Sequence, residues 1–424
     1  MNDLGPSPVA RGDKQVTVRQ ARQRLGETLH AVTGVEVLPL HQTMGRILAA
    51  DVLSPINVPA HDNSAMDGYA FDGQALRPNE PLILQTHDHT VLAGKPWPQA
   101  VSTGHGVRIM TGAVMPQGAD TVVPLELCTV QGQQVVIAAG TVRPGENRRR
   151  AGEDLSAGSV ALRAGRLLRA ADVGLMASLG YTQVAVRTRL RVALFSTGDE
   201  VMSPGEALRE GSIYDSNRYS LGAALQRLPV EVLDLGLVPD DPQALREVMR
   251  QAADQADAVL TSGGVSAGDA DYTRDILAAM GEVDFWKVAM RPGRPFAFGA
   301  LRGSQDHTAW LFALPGNPVA ALVTFYILAR DGLLQLAGAH AVETPTLRVR
   351  SAEAIRKRPG RTEYQRGILQ RAADGQWEVR IAGSQGAGIL RSMSEAQVLV
   401  VLDHEQGSVA AGELVEVLLL DGLA

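Results

Sequence analysis

One cysteine, Cys128, stands in 424 residues. An intrachain disulfide is therefore excluded, and so is a zinc cluster built on thiolates of a single chain. Aromatic residues make up only 4%, too few for a platform on which nucleic-acid bases stack. Positive charge is not in excess: the formal net charge is −6, so neither nucleic acid nor an anionic membrane is an expected partner. A polyanion would have to be held locally, by backbone amides, a few cations or a bound metal ion. No apolar run reaches the roughly 20 residues that cross a bilayer. The longest candidate, Pro318 to Leu336, is interrupted by Arg330 and Asp331. Met1 to Lys14 is polar and carries Gly and Pro, without the apolar core of a signal peptide. Cytoplasmic residence is the expectation.

What remains is ordinary globular composition, 45% apolar and 20% charged, in a chain long enough for roughly two to four domains. Thr17 to Val32 reads as a helix, with Val18, Ala21, Leu25 and Leu29 at helical spacing and Gly34 as a stop. Thr43 to Val52 has no alternation and reads as a further short helical piece. Pro55 to Gly73 is an ordered loop, dense in Asn, Asp, Gly and Pro. Short β segments with frequent turns fill Gly73 to Val142, and Ala170 to Leu179 returns to helix.

From Arg189 to Leu336 strands alternate with helices. The strands are Arg191 to Ser196, Glu231 to Val238, Ala256 to Thr261 and Ala309 to Ala313. The helices are Asn217 to Leu228, Pro242 to Asp254, Tyr272 to Met280 and Pro318 to Leu336. Apolar strands alternating with amphipathic helices imply a parallel sheet covered on both faces. Thr344 to Leu423 is again β-patterned, as in a small barrel or sandwich.

Ligands of an open parallel sheet bind beyond the carboxyl ends of its strands, so the segments that follow the four strands are the place to look. They are Ser196-Thr197-Gly198-Asp199-Glu200, Pro239-Asp240-Asp241, Thr261 to Asp271 with Ser262-Gly263-Gly264-Val265-Ser266 at its start, and Leu314-Pro315-Gly316-Asn317-Pro318. Glycines let backbone N–H groups approach ligand oxygens, and a helix beginning near Asp271 offers a positive dipole end for phosphate. Carboxylates beside such an anion site need a cation between them, and Mg²⁺ commonly bridges carboxylate and phosphate. Each piece also has a plain reading. Asp199 and Glu200 could cap a helix, Asp240 before Pro242 matches an N-cap, Gly263-Gly264 could be a tight turn, and 315–318 a rigid helix start. Convergence on one edge is what favours a phosphate-plus-Mg²⁺ site.

Three more segments carry charge. Lys287, Arg291 and Arg294 surround a Pro-Gly turn and could bind phosphate or an oxyanion, although a solvated basic turn is the plainer reading of Arg294. Asp62 and Asp67 lie in the loop Asp62 to Tyr69, explained in good part by Asx turns. Arg148-Arg149-Arg150 precede Glu153 and Asp154, a spacing equally suited to surface ion pairs.

Taken together, Asp62 to Tyr69 (DNSAMDGY), Gly152-Glu153-Asp154, Ser196 to Glu200 (STGDE), Ser262 to Asp271 (SGGVSAGDAD) and Leu314 to Pro318 (LPGNP) resemble the molybdopterin molybdenumtransferases, a family that includes the C-terminal enzyme domain of gephyrin. The motifs follow the family's order over nearly the whole chain. The resemblance implies a multidomain α/β plus β fold: an elongated helical unit from 15–58 with 143–187, an inserted β domain at 59–142, a three-layer molybdopterin-binding α/β domain at 188–340 with a mostly parallel sheet, and a C-terminal β-barrel at 341–424. It implies a homodimer whose site lies between subunits, with Asp62, Asp67 and Asp154 arriving from the partner.

The implied reaction inserts molybdenum from molybdate into adenylylated molybdopterin, with Mg²⁺-dependent release of AMP. By motif match, Glu200, Asp240 and Asp271 bind the cation and position the attacking oxygen, with Asp154 a fourth candidate. Thr197, Gly198, Asp199, Ser262, Gly263, Gly264 and Ser266 cradle the ligand, and Lys287 and Arg291 hold molybdate or phosphate. Pro315, Gly316, Asn317 and Pro318 shape the pocket, and Arg361 and Arg366 reach it from the C-terminal domain. A molybdopterin adenylyltransferase and the maturation proteins of molybdoenzymes are the implied partners. Arg291 stands where the family often has lysine, replacing a point cation by a planar fork. Two other readings compete. Molybdopterin adenylyltransferases share the glycine loop but consist essentially of the α/β domain, and a non-catalytic scaffold should have lost the site carboxylates.

Overall fold

The structure is a computed structural model that describes residues 14–264, 270–304, 307–340 and 344–420. At its centre is a seven-stranded sheet. Its strands in chain order are β1 (Lys14–Val16), β2 (Leu190–Thr197), β3 (Val230–Val238), β4 (Ala258–Ser262), β5 (Gly281–Val288), β6 (Pro295–Arg302) and β7 (Thr308–Leu314). The spatial order is β1-β5-β6-β7-β4-β2-β3. Pairing is parallel from β7 through β4 and β2 to β3, and antiparallel along the β5-β6-β7 meander. The sheet is thus mostly parallel, and the four strands expected from the sequence all run in one direction.

Side-chain alternation along the strands divides the core in two. Leu190, Val192 and Leu194 of β2 face helices α1 (Val18–Thr28), α2 (Ser216–Leu225) and α5 (Pro318–Leu336). Ala193 and Phe195 face α3 (Pro242–Gln255) and α4 (Ala270–Met280). These are the three layers of a doubly covered sheet, because strands apolar on both sides must be buried on both sides. Helix α5 has the length and composition to cross a bilayer, but 83% of its apolar stretch is buried inside the molecule, as befits a core helix. One π-helical turn, Phe325–Ala329, interrupts it.

The first strand and helix, grouped from sequence with the elongated unit, pack on this sheet. β1 extends its edge by pairing with Trp286 to Val288, and α1 turns Val18, Ala21 and Leu25 into the core. The rest of that unit is mostly short strand pairs, Val35–Pro39 with Gln183–Arg187 and Val52–Leu53 with Val160–Leu162, plus the helix Ala170–Ser178. The expected helical piece at Thr43 to Val52 is not helical. Ile47 and Leu48 instead make β-bridges to Leu167 and Val186, so long-range pairing overrides the local pattern.

A six-stranded sheet lies between the halves of this unit in the sequence, ordered 121–124, 68–71, 105–109, 82–91, 134–137 and 128–131. The C-terminal strands Thr346–Ser351, Thr362–Arg371, Trp377–Ile381, Val398–Leu402 and Leu414–Leu419 close into a five-stranded barrel. It is tethered to the α/β unit where Met290–Arg291 pairs with Thr362 and Glu363.

Candidate active site

Register decides where the chemistry falls. Thr197 of β2 pairs with Val238 of β3, Ser196 with Ser262 of β4, and Ser262 with Leu314 of β7. Four strands therefore end level, and the segments after them share one rim. That rim opens on a cleft of about 820 Å³. Thr197, Gly198, Glu200, Asp240, Ser262, Gly263, Gly264 and the whole run Pro315 to Pro318 line it.

The glycine turn is built for close approach. Gly263 has φ +98°, and a Cβ there would lie 2.6 Å from the Thr197 carbonyl oxygen. Gly264 has φ +67°. Only glycine adopts both conformations without strain. Opposite, a Cβ on Gly316 would sit 3.8 Å from the Gly263 Cα, so two of the rim segments nearly touch. A Cβ on Gly198 would meet the Glu200 carboxylate at 2.7 Å, which places that carboxylate over the end of β2.

The two acids after β3 divide their labour. Asp241 is the N-cap of α3, accepting from the backbone N–H groups of Gln243 and Ala244 at 3.0 and 2.8 Å, with Pro242 at the first helical position. Asp240 is not the cap: it lines the cleft, and its backbone N–H donates to Asp199 Oδ1 at 3.1 Å. Asp199 thus ties the β2 and β3 segments together without lining the cleft itself.

Two further lining residues went unnoticed in the sequence. Asp215, buried, caps α2, accepting from Arg218 N at 3.0 Å and from Ser196 Oγ at 3.1 Å. Asn217 Nδ2 donates to Ser262 Oγ and to the Gly316 carbonyl, both at 2.6 Å, and so joins the ends of β4 and β7. Its Oδ1 and Thr197 Oγ1 are buried without a protein partner among the described residues. Their signal was the Asp-Ser-Asn run before a helix, easily taken for capping alone.

The expected cations are divided between the cleft and its surroundings. Arg294, the cation read as a solvated turn, is exposed and lines the cleft with Gly293 and Pro295. Arg291 lines a neighbouring pocket of about 300 Å³ with Arg366 and Glu363. Lys287 sits in β5, in register with Gln15 and Pro295, and lines neither. Arg366 is 1% exposed and donates to Ser392 Oγ and to the carbonyls of Ser384 and Gly386. It fastens the segment from which Ala387, Gly388 and Leu390 line the cleft. Burial, with Arg291 nearby, lowers its pKa to about 10. Arg361 is exposed just before Thr362–Arg371. Ser266 lies outside the described residues, as does the side chain of Asp271, whose backbone is in the first turn of α4.

Asp62, Asp67 and Asp154 sit away from this cleft in their own chain. Asp62 accepts from Ala151 N at 2.8 Å and pairs with Arg148 at 3.4 Å. Asp67 accepts from the hydroxyl and backbone N–H of Thr111, bonds that hold its carboxyl below the usual carboxylate range. Asp154 donates its N–H to the Val58 carbonyl. The 62–67 and 148–154 loops form one surface, joined by pairing of Asn63–Ser64 with Arg148–Arg149.

Comparison with known proteins gives this geometry a context. Family models match residues 16–180 as the MoeA N-terminal region (domain I and II), 193–335 as a probable molybdopterin binding domain and 348–420 as the MoeA C-terminal region (domain IV). A molybdopterin molybdenumtransferase of Haemophilus influenzae is 40% identical over 403 residues, spanning 95% of this chain and 98% of the relative. One from a Nostoc species is 37% identical over 391 residues, covering 91% and 88%. The crystal structure of the molybdopterin biosynthesis moeA protein from Pyrococcus horikoshii superposes with a TM-score of 0.79 at 27% identity, covering 96% of this chain and all of that one. With the same architecture from end to end and two-fifths of its residues shared with a curated relative of nearly equal length, the chain belongs to the molybdopterin molybdenumtransferase family.

Proposed function

We propose that the protein inserts molybdenum from molybdate into adenylylated molybdopterin, cleaving the phosphoanhydride and releasing AMP in an Mg²⁺-dependent reaction. The observation that carries this reading is the single cleft on which Glu200, Asp240, the Gly263-Gly264 turn and Pro315 to Pro318 converge. The turn and the start of α4 cradle a phosphate through backbone N–H groups and the helix dipole. Thr197 Oγ1 and Asn217 Oδ1, buried and without a partner among the described residues, are available to ligand polar groups. Arg294 supplies positive charge for molybdate.

Mg²⁺ fits the donor set. Among the described residues no three His, Cys, Asp or Glu side chains gather closely enough to hold an ion by themselves. Mg²⁺ is usually held by one or two carboxylates completed by phosphate oxygens and water, and Glu200 and Asp240, with Asp271, would provide them. Bound there, the ion would draw negative charge from the phosphoanhydride. Glu200 and Asp240 also orient the attacking oxygen.

The reading includes a homodimer, in which Asp62, Asp67 and Asp154 of one subunit reach the cleft of the other. Val35, Val37, Leu53 and Val160, all exposed on the small strand pairs, supply apolar surface for such an interface. It also places the enzyme in the cytoplasm, between a molybdopterin adenylyltransferase and the proteins that mature molybdoenzymes. An adenylyltransferase activity for this chain is less well supported, because Ala387, Gly388 and Leu390, from beyond the α/β unit, form part of the cleft wall. The test is Asp240→Asn, assayed with adenylylated molybdopterin and molybdate. Molybdenum insertion and AMP release are expected to fall at least a hundredfold with Tm unchanged; wild-type rates would refute the assignment. Asp271→Asn should behave alike.

A further inference from the structure

The acids and glycines of the cleft account for a phosphate and a cation, but not for the flat ring system that such a substrate carries. Among the Phe, Tyr and Trp rings of the described residues, three are strongly exposed: Tyr214 (43%), Tyr219 (54%) and Trp377 (47%). Two of them already have a cation over one face, Arg218 on Tyr219 at 4.9 Å and Arg371 on Trp377 at 4.2 Å. Tyr214 has neither a ring nor a cation stacked on it among the described residues, and it is the one of the three that lines the cleft.

Its position is fixed from three sides. The hydroxyl donates to the Glu206 carbonyl at 2.8 Å. The short strand Ile213–Tyr214 pairs with Val201–Met202, through Ile213 N to Glu200 O at 2.8 Å and Asp215 N to Met202 O at 2.9 Å. The ring is thereby tied by its backbone to the residue that carries the Glu200 carboxylate and to the Asp215 cap. Ile213 beside it is 56% exposed and also lines the cleft. What sets this pair apart from other exposed apolar side chains is that both line the cleft, and a ring anchored at its hydroxyl loses little entropy when a base stacks on it.

We propose that Tyr214, with Ile213, is the shelf on which the flat nitrogen heterocycle of the phosphorylated substrate stacks. The inference rests on the phosphate-and-cation reading of the cleft and adds a specificity residue to it. Adenine and pterin share the required chemistry, and the experiment separates them.

Calorimetry on the full-length protein with Mg²⁺ uses AMP, ribose 5-phosphate, which lacks the base, and 6-hydroxymethylpterin, which lacks the phosphate. Tyr214→Ala should weaken AMP or the pterin roughly ten- to hundredfold, the range of one base–aromatic contact. It should leave ribose 5-phosphate within about twofold, since that probe makes no stacking contact. Tyr214→Phe should keep most of the affinity, and Tyr219→Ala, outside the cleft, should change nothing. Loss for AMP alone identifies an adenine shelf, and loss for the pterin alone a pterin shelf. Unchanged binding of both heterocycles by Tyr214→Ala overturns the proposal. So does an equal loss for AMP and ribose 5-phosphate, which marks a backbone role. An unsubstituted protein that binds none of the three probes refutes the reading of the cleft itself.

Discussion

At the scale of single residues, the cleft depends on a backbone that only glycine tolerates. Gly263→Ala puts a methyl group 2.6 Å from the Thr197 carbonyl oxygen at a φ of +98°. The expected cost is about 2 kcal/mol or more, read as a lower Tm, together with lost AMP binding as the turn opens. Tyr364 offers a prediction in pH. It is buried under the sheet with α1 and α5, and burial pushes its pKa up to about 12. An unfolded tyrosine ionises near pH 10, so the folded ring stays neutral where the unfolded one does not. Its contribution is complete below about pH 10 and is lost as pH climbs toward about 12, roughly 2–3 kcal/mol in all. Urea unfolding at about pH 9 and about pH 11 should show Tyr364→Phe losing less stability between the two than the parent. A parent and variant that fall in parallel would contradict this. Residue roles were only partly legible in the sequence. Glu200, Asp240 and Gly263 follow apolar strands and declare themselves by position. Arg294 and Arg291 do not, because which of two arginines flanking a Pro-Gly turn enters a cleft is set by the turn's three-dimensional path. Asn217 and Asp215 were hidden by their resemblance to ordinary capping residues.

At the scale of elements, Asp240 and Asp241 show a site and a helix sharing one loop. Asp241→Ala removes the cap of α3, worth about 1 kcal/mol, and should lower Tm while leaving molybdenum insertion close to normal. Asp240→Asn should do the reverse. If both variants lost activity equally, the division of labour between cap and cleft would be wrong. The four parallel strands were legible because each is a short apolar run with a turn signal after it, and burial on both faces permits no polar alternation. β5 and β6 were harder. Around Lys287 to Arg294 the sequence declares only a Pro-Gly turn, and nothing local says that the segments on either side join the same sheet antiparallel. Thr43 to Val52 was misread for a related reason: its bridges to Leu167 and Val186 reach more than a hundred residues along the chain. Local propensity carries no information at that distance.

At the scale of the whole molecule, Asp62, Asp67 and Asp154 do not line the cleft of their own chain. Asp62 and Asp154 are held in a surface formed by the 62–67 and 148–154 loops, and neither lines the cleft. In the homodimer proposed above, one subunit would lend that surface to the other, since an isologous interface repeats the same exchange twice. The consequence is complementation. Asp154→Asn and Asp240→Asn chains are each expected to be inactive as homodimers. In a mixed dimer, one site combines the intact Asp240 of the first chain with the intact Asp154 of the second, and the other site carries both lesions. Random reassortment makes about half of the dimers mixed, each with one working site, so the mixture should recover about a quarter of the parent activity. Mixing must follow unfolding and refolding together, or co-expression, so that subunits exchange. Recovery that appears only after exchange, and not on simple mixing, would establish that each cleft is completed by the neighbouring subunit. An exchanged mixture no more active than either variant alone would show that Asp154 is not supplied across the interface.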